Sequence, residues 1–184
     1  MVLYFITGNS GKFEEAKKYF PELEQLPLDL PEIQNLDPQK VISEKLKEAT
    51  KIHDGEFFIE DTSLHFGCLN GFPGPLIKWF YESLGQEGFL DLVEKYGDNK
   101  VTIKSTIGYI KRNGGKTITT FFEGSISGTF VKQRTSNDFQ FGNIFLPDNM
   151  DKTFGEMTRE EKNAVSMRGK AFQKLRDHLE NGSA

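Results

Sequence analysis

The chain has a single cysteine, Cys68, among its 184 residues. One cysteine cannot form a disulfide framework or a thiolate metal cage within one chain, so we expect a reducing compartment. No stretch approaches the roughly 18 consecutive apolar residues that a membrane span needs, and the first residues carry no basic leader or small-residue cleavage site. These absences predict a cytoplasmic protein with no membrane partner.

An excess of positive charge is also absent. Lysine and arginine number 23 against 27 aspartate and glutamate residues, which gives a formal net charge of −4. Such a chain offers no general basic field for a nucleic acid duplex or an anionic membrane surface. We therefore expect no nucleic acid partner, and any phosphate-bearing ligand must be held by individually placed lysines and backbone N–H groups.

No internal repeat, low-complexity tract or linker divides the chain, and 36% of its residues are hydrophobic. This composition excludes a disordered chain and predicts one domain over residues 1–184. The expected elements are a strand at 2–7, a helix from Asn9 or Ser10 to Pro21, a strand near 23–29, a helix over 38–53, a strand at 56–61, a loop over 62–75, a helix from 76, a hairpin turning at 113–115 and a helix over 166–179. This order predicts an α/β fold with a long mixed central sheet and flanking helices.

Two basic residues fall where helical periodicity predicts apolar side chains. The apolar arc of the 38–53 helix consists of Val41, Ile42, Leu46, Ala49 and Ile52. Lys45 lies inside that arc, and it either extends to water or directs its ammonium into a cleft. Arg168 is central to the apolar stripe of the last helix, and it either presents its planar donor group at a rim or forms a buried ion pair.

The sequence TGNSGK, at 7–12, places a glycine-containing turn between a buried strand and a helix. Free backbone N–H groups at the helix start can receive phosphate, and Lys12 adds a positive charge. An ordinary turn with a helix cap requires the same residues. The segment is not a Walker A loop, because Ile6 replaces its glycine and Phe13 replaces the serine or threonine that binds magnesium.

Two adjacent carboxylates, Glu60 and Asp61, are predicted at the carboxyl end of a buried strand, where α/β sheets place ligand chemistry. Neighbouring side chains on a strand point to opposite faces, so only one of them faces a given ligand unless the strand has already turned. Glu32 is a third candidate. Oxygen ligands suit Mg²⁺, which takes one or two protein carboxylates and keeps several waters. For each residue the alternative is a solvated surface charge.

Taken together, the motifs resemble those of the inosine triphosphate pyrophosphatase family. The matching segments are TGNSGKFEE (7–15), LPEIQ (30–34), EDTSL (60–64), LNGFPGPLIKWF (69–80) and KTFGEMTREEKNAVS (152–166), followed by Arg168. The resemblance implies hydrolysis of non-canonical purine nucleoside triphosphates, such as ITP, dITP and XTP, to monophosphate and pyrophosphate. It also implies two lobes around a nucleotide cleft, Mg²⁺ as cofactor with Mn²⁺ able to replace it, and a homodimer.

The resemblance further implies roles for individual residues. The implied catalytic residues are Asp61, Lys12 and Lys45. The implied metal ligands are Glu32, Glu60 and Asp61. The implied substrate contacts are Thr7, Gly8, Asn9, Lys78, Phe139, Phe141, Lys162 and Arg168.

The chain departs from the family pattern in two places. The family commonly has FGWDP or FGYDP in its base-recognition segment, whereas here Gly142 and Asn143 stand at the aspartate and proline positions. Met167 stands where the family usually has a histidine before the arginine. Both departures concern base recognition rather than phosphate chemistry. Two alternatives therefore remain open, the same chemistry directed to another base and a nucleotide-binding module without turnover.

Overall fold

A computed structural model of the protein describes residues 2–113, 116–137 and 140–181. Within them the strands are β1 (Leu3–Ile6), β2 (Glu24–Leu26), β3 (Glu56–Phe66), β4 (Pro73–Gly74), β5 (Lys100–Asn113), β6 (Lys116–Phe130) and β7 (Phe145–Pro147). The helices are α1 (Ser10–Lys17), α2 (Pro38–Ala49), α3 (Ile77–Tyr96), α4 (Arg159–Val165) and α5 (Met167–Asn181).

The strands of the described residues form one sheet in the order β2-β1-β3-β5-β6-β7, with β4 paired to β3. β1 runs parallel to both β2 and β3, whereas the other pairs are antiparallel. The predicted mixed α/β fold is therefore confirmed. The β5 and β6 hairpin is also confirmed, although residues 114 and 115 of its predicted turn lie outside the described residues.

Helices cover both faces of the sheet, because successive side chains of a buried strand point in opposite directions. On one face, α2 packs against Phe57 and Ile59 of β3. On the other, α1 and α5 pack over Phe58, and α5 contributes Phe172 to this cluster. α5 lies so close to β6 that a Cβ on Gly124 would overlap the helix backbone. Among the described residues, no helix is long and apolar enough to cross a membrane.

β3 is longer than predicted, and the expectation of a loop from residue 62 is wrong for its first five residues. The strand continues to Phe66 because β5 pairs with it antiparallel as far as that residue. Its parallel pairing with β1 extends only to Phe58. Glu60 and Asp61 therefore lie in the middle of β3 rather than at its end, just beyond the part that pairs with β1.

α2 begins at Pro38, as predicted, but it ends at Ala49 rather than near residue 53. The Thr50 hydroxyl donates a hydrogen bond to the Lys47 carbonyl oxygen at 2.8 Å, and the chain then turns. As a result Ile52, which was predicted on the apolar arc, is 64% exposed.

Three short elements, β4, β7 and α4, were not predicted. The two strands have only two and three residues, too few for a hydropathy pattern to develop. α4 does carry a readable signal, since Thr158 and Glu161 form a reciprocal capping box at its start.

Candidate active site

The segment between β1 and α1 is fixed by its own polar side chains. The Asn9 side chain caps α1 by accepting a hydrogen bond from the Lys12 N–H at 3.0 Å. The Thr7 hydroxyl accepts one from the Asn9 N–H at 3.1 Å, and Gln25 donates to the Thr7 carbonyl oxygen at 2.9 Å. A Cβ on Gly8 would meet no atom of the structure within 4 Å. This exposed, ordered helix start is suited to receiving phosphate.

Lys12, on α1, pairs with Glu60 on β3. The Lys12 Nζ lies 2.9 Å from Glu60 Oε2, and the Glu60 side chain is completely buried. Glu60 Oε1 accepts hydrogen bonds from the hydroxyls of Ser105 at 2.6 Å and Thr62 at 3.0 Å. Burial alone would raise the pKa of Glu60, but the charges of Arg168 and Lys12 outweigh it and hold that pKa well below its usual range. Glu60 is therefore ionised.

Arg168 forms a buried ion pair, which is one of the two possibilities that the sequence left open for it. Its Nε lies 3.3 Å from Glu60 Oε1 and its Nη1 lies 2.7 Å from Glu15 Oε2, while its Nη2 donates to the Thr62 hydroxyl at 3.1 Å. Its side chain is 13% exposed. Sequence reasoning assigned no role to Glu15, although this residue belongs to the segment TGNSGKFEE that carries the family resemblance.

Asp61 faces the opposite side of the sheet from Glu60, as alternation along a strand requires. It lies directly across from Thr106 on β5. Asp61 Oδ2 is buried and has no hydrogen-bond partner among the described residues. The hydroxyl oxygen of Thr106 is likewise buried without a partner in that part of the chain. The side of β3 that carries Asp61 therefore has polar atoms available to a ligand.

Lys45 and Glu32 form an ion pair whose charges act on Asp61. The Lys45 Nζ lies 2.6 Å from Glu32 Oε2, and the Lys45 side chain is 13% exposed. Burial raises the pKa of Asp61, the positive charges of Lys12 and Lys45 act against this, and the negative charges of Glu60 and Glu32 add to it. Six of the residues that these contacts and charges connect are called the charged cluster below. Its members are Lys12, Glu32, Lys45, Glu60, Asp61 and Arg168.

The environment of Asp61 fits a divalent cation. A buried carboxylate oxygen without a hydrogen-bond partner can be satisfied by a metal ion, and Glu32 adds a second carboxylate nearby. Among the described residues, no group of three or more His, Cys, Asp or Glu side chains could hold a metal ion by itself. Mg²⁺ requires only one or two protein carboxylates, because waters and substrate phosphates supply the rest.

Lys78 and Lys162, two predicted substrate contacts, each lie over an aromatic ring. The Lys78 Nζ is 5.2 Å from the centre of the Trp79 ring, and the Lys162 Nζ is 5.5 Å from that of Phe154. Neither of these contacts joins a lysine to the charged cluster. Their contact with substrate stays a prediction.

The predicted base contacts are only partly described. Phe141 is 8% exposed and packs near the rings of Tyr81 and Phe130. Met167, where the family usually has histidine, is 6% exposed and belongs to the same apolar cluster. Phe139 lies outside the described residues. The contact of these side chains with a base stays a prediction.

Comparison with known proteins assigns the chain to a family. The model of the Ham1 family matches residues 3–178. The inosine triphosphate pyrophosphatase of Schizosaccharomyces pombe is 39% identical, with 97% of this chain and 95% of that protein covered. The dITP/XTP pyrophosphatase of Thermococcus kodakarensis is 38% identical, with 97% of each covered.

Solved structures agree on the fold. The Ham1 protein of Staphylococcus aureus superposes with a TM-score of 0.80 at 23% identity, covering 99% of this chain and all of that one. A HAM1 protein of Coxiella burnetii gives a TM-score of 0.82 at 21% identity, covering 98% of this chain and 99% of the other. Because the family model and the relatives both match nearly the whole sequence, the chain belongs to the Ham1 family.

Proposed function

We propose that this protein is a metal-dependent pyrophosphatase that removes non-canonical purine nucleoside triphosphates, of the ITP, dITP and XTP type, from the nucleotide pool. Its products are nucleoside monophosphate and pyrophosphate. The observation that carries the proposal is the buried, unpartnered Asp61 oxygen within the fields of Lys12 and Lys45. The two relatives at 39% and 38% identity are named for this chemistry.

The triphosphate is bound by the loop at 7–12 and by two lysines. The N–H groups at the start of α1 and the Lys12 ammonium receive phosphate oxygens, and Lys45 supplies a second positive charge. To do so, Lys12 weakens its ion pair with Glu60, and Lys45 weakens its ion pair with Glu32, so that each ammonium can contact a phosphate oxygen. The two charges then stabilise the negative charge that develops on the leaving pyrophosphate, which is the main contribution in phosphoryl chemistry.

Asp61 positions the water that attacks the α-phosphorus, with pyrophosphate leaving. Without a bound cation, burial raises the pKa of Asp61, which makes its carboxylate a better proton acceptor than an exposed aspartate. Asp61 and Glu32 would hold Mg²⁺, or Mn²⁺ in its place. When bound, the cation neutralises phosphate charge and makes a coordinated water more acidic.

A second candidate is the same chemistry directed to another base. Met167 and Gly142, at the two departures from the family pattern, are both buried and provide no charged side chain. Sites that hydrogen-bond a substrate group reject analogues far better than sites that recognise shape. We therefore expect weaker discrimination between 6-oxo and 6-amino purines than in relatives that carry histidine and aspartate there.

A panel of triphosphates tests both candidates. Purified protein is incubated with ITP, dITP, XTP, ATP and GTP and Mg²⁺ or Mn²⁺, and products are separated by chromatography. We expect monophosphate and pyrophosphate from the first three, and no turnover after chelation until metal is restored. Diphosphate and orthophosphate as products would contradict the mechanism. Nucleotide binding by calorimetry without any product would identify a binding module instead.

The proposal includes a cytoplasmic homodimer, as the single cysteine and the family resemblance imply. Phe72 and Trp79, which are 40% and 55% exposed, provide apolar surface that a second copy can cover. Light scattering coupled to size-exclusion chromatography measures the mass in solution. A monomer at micromolar concentration would contradict this part of the proposal.

A further inference from the structure

Both oxygens of the buried Glu60 carboxylate lie close to a cation, although only Oε1 accepts hydrogen bonds from the described residues. Oε2 contacts the Lys12 ammonium, and Oε1 accepts from two hydroxyls, those of Ser105 and Thr62, and lies 3.3 Å from Arg168 Nε. These partners come from α1, β3, β5 and α5. Removing a carboxylate from water is costly unless charge and hydrogen bonds compensate it, and Glu60 has both forms of compensation.

This arrangement is unfavourable for a metal ligand. A divalent ion bound to Glu60 Oε2 would lie beside the Lys12 ammonium, which is 2.9 Å from the same oxygen. Two positive charges at such a separation repel strongly where water is excluded. Glu32 also pairs with a lysine, but its side chain is 54% exposed, so water screens the corresponding repulsion there. Asp61 differs in its ion pairing, because its buried Oδ2 has neither a hydrogen-bond partner nor an ion pair in the described ranges, whereas Glu60 Oε2 is paired with Lys12. Of the two adjacent carboxylates, Asp61 is the one available to a cation.

The two cations joined by Glu60 serve different parts of the substrate site. Lys12 belongs to the loop assigned to the phosphates, whereas Arg168 is assigned to the base. Arg168 is fixed on its other side by Glu15, at 2.7 Å. The buried Glu60 carboxylate therefore helps to fix the positions of both cations.

We propose that Glu60 is a positioning residue that sets Lys12 and Arg168 in one arrangement, and that it does not ligate the metal. The proposal rests on the proposed pyrophosphatase function for its kinetic readouts. Loss of the Glu60 charge then displaces Lys12, which lowers turnover, and displaces Arg168, which changes the discrimination between bases. Metal affinity is left intact. A metal ligand would lose affinity, and a purely structural residue would change stability without changing discrimination.

The test compares Glu60→Gln, which keeps the side-chain shape, with Glu56→Gln. Glu56 is four residues earlier on the same face of β3, and its carboxylate accepts a hydrogen bond from Tyr109 at 2.9 Å, outside the charged cluster. Ser105→Ala removes one donor to Glu60 and is a milder variant should Glu60→Gln fail to fold. The measurements are the Mn²⁺ dissociation constant, by water proton relaxation, and kcat and KM for ITP and ATP.

We expect Glu60→Gln to lower kcat for ITP by about tenfold or more, since small displacements of catalytic groups have large effects on rate. The ratio of kcat/KM for ITP and ATP should change as well, with the Mn²⁺ dissociation constant within about twofold of the wild-type value. Ser105→Ala should act in the same direction more weakly. Glu56→Gln should change none of these values.

Either of two outcomes would overturn the proposal. One is a loss of Mn²⁺ affinity of about tenfold or more in Glu60→Gln. The other is an unchanged ratio of kcat/KM for ITP and ATP in both Glu60→Gln and Ser105→Ala. Wild-type protein without pyrophosphatase activity would instead contradict the proposed function. In that case the positioning role is tested by urea unfolding of Glu60→Gln combined with Lys12→Met and with Arg168→Lys. Non-additive effects would support it, and additive effects would overturn it.

Discussion

Glu60 and Asp61 are adjacent on β3, yet their pKa values are shifted in opposite directions. For Glu60, the raising effect of burial is outweighed by Arg168 and Lys12. For Asp61, burial prevails, because the nearby lysines are balanced in part by carboxylates. Alternation along the strand places the two side chains in these separate environments. Carboxylates whose environments separate their pKa values can take different roles, here a permanent counter-charge and a proton acceptor.

Asp61→Asn keeps the side-chain volume and removes the charge that binds a cation or accepts a proton. We expect kcat to fall by about 10²–10⁴-fold, the usual cost of losing a general base. The free energy of unfolding should not fall, because Asp61 has no ion pair in the described structure and burial, which raises its pKa, disfavours its charged form. Pyrophosphate release and urea denaturation measure the two quantities. Asp54→Asn, at a side chain 93% exposed, is the control. Near-normal turnover of Asp61→Asn at saturating Mg²⁺ would show that another carboxylate binds the cation or accepts the proton.

Lys45→Met should lower kcat/KM for the triphosphate by about 10²–10³-fold, the typical effect of removing one group that stabilises transition-state charge. Its ammonium is held by Glu32 within the charged cluster. Lys47→Met is the matched control, since Lys47 is on the same helix with its side chain 65% exposed. Steady-state kinetics at fixed ionic strength compares the two variants. Equal effects would show that Lys45 does not act on phosphate.

Arg168→Ala should destabilise the fold by about 3–5 kcal/mol, because it leaves the buried Glu60 with one fewer counter-charge and removes the partner of Glu15. Arg176→Ala on the same helix serves as control. Its ion pair with Glu180 is exposed to solvent, so its loss should cost far less stability. Urea denaturation at neutral pH measures both losses. Similar losses for the two variants would contradict the buried ion pair.

His65 should make the protein less stable in mild acid. Burial lowers its pKa below the ordinary value, with its ring nitrogens near the Gly71 carbonyl oxygen at 2.9 Å and the Ser63 hydroxyl at 3.0 Å. The unfolded chain then binds the proton more readily than the folded chain. The free energy of unfolding therefore decreases as the pH falls through about 6.5 toward the lower folded-state pKa.

His65→Gln should remove this part of the pH dependence. Urea denaturation between about pH 7.5 and pH 5.5 gives the slope for each protein. The slope of His65→Gln should be shallower than that of the wild type. An unchanged slope would mean that His65 titrates alike in the folded and unfolded chains.

The sequence alone determined the mixed sheet, the long hairpin and the helices that begin at Pro38 and near Ser166. These features follow from local periodicity and capping, which depend on residues close together in the chain. The sequence also identified Lys45 and Arg168 as charges on apolar helix faces. The structure shows both side chains largely buried and in ion pairs.

The partners of these charges depend on packing between elements that are distant in the sequence. No local pattern indicated that Arg168 meets Glu15 and Glu60, or that Ser105 donates to Glu60, because those residues are far apart in the sequence and are brought together by packing of α1 and α5 over the sheet. The extension of β3 past Asp61 was equally inaccessible, because the pairing partner that sustains it is a strand about 40 residues later. Periodicity reports which side of an element is buried, whereas the groups that compensate a buried charge depend on contacts between distant elements.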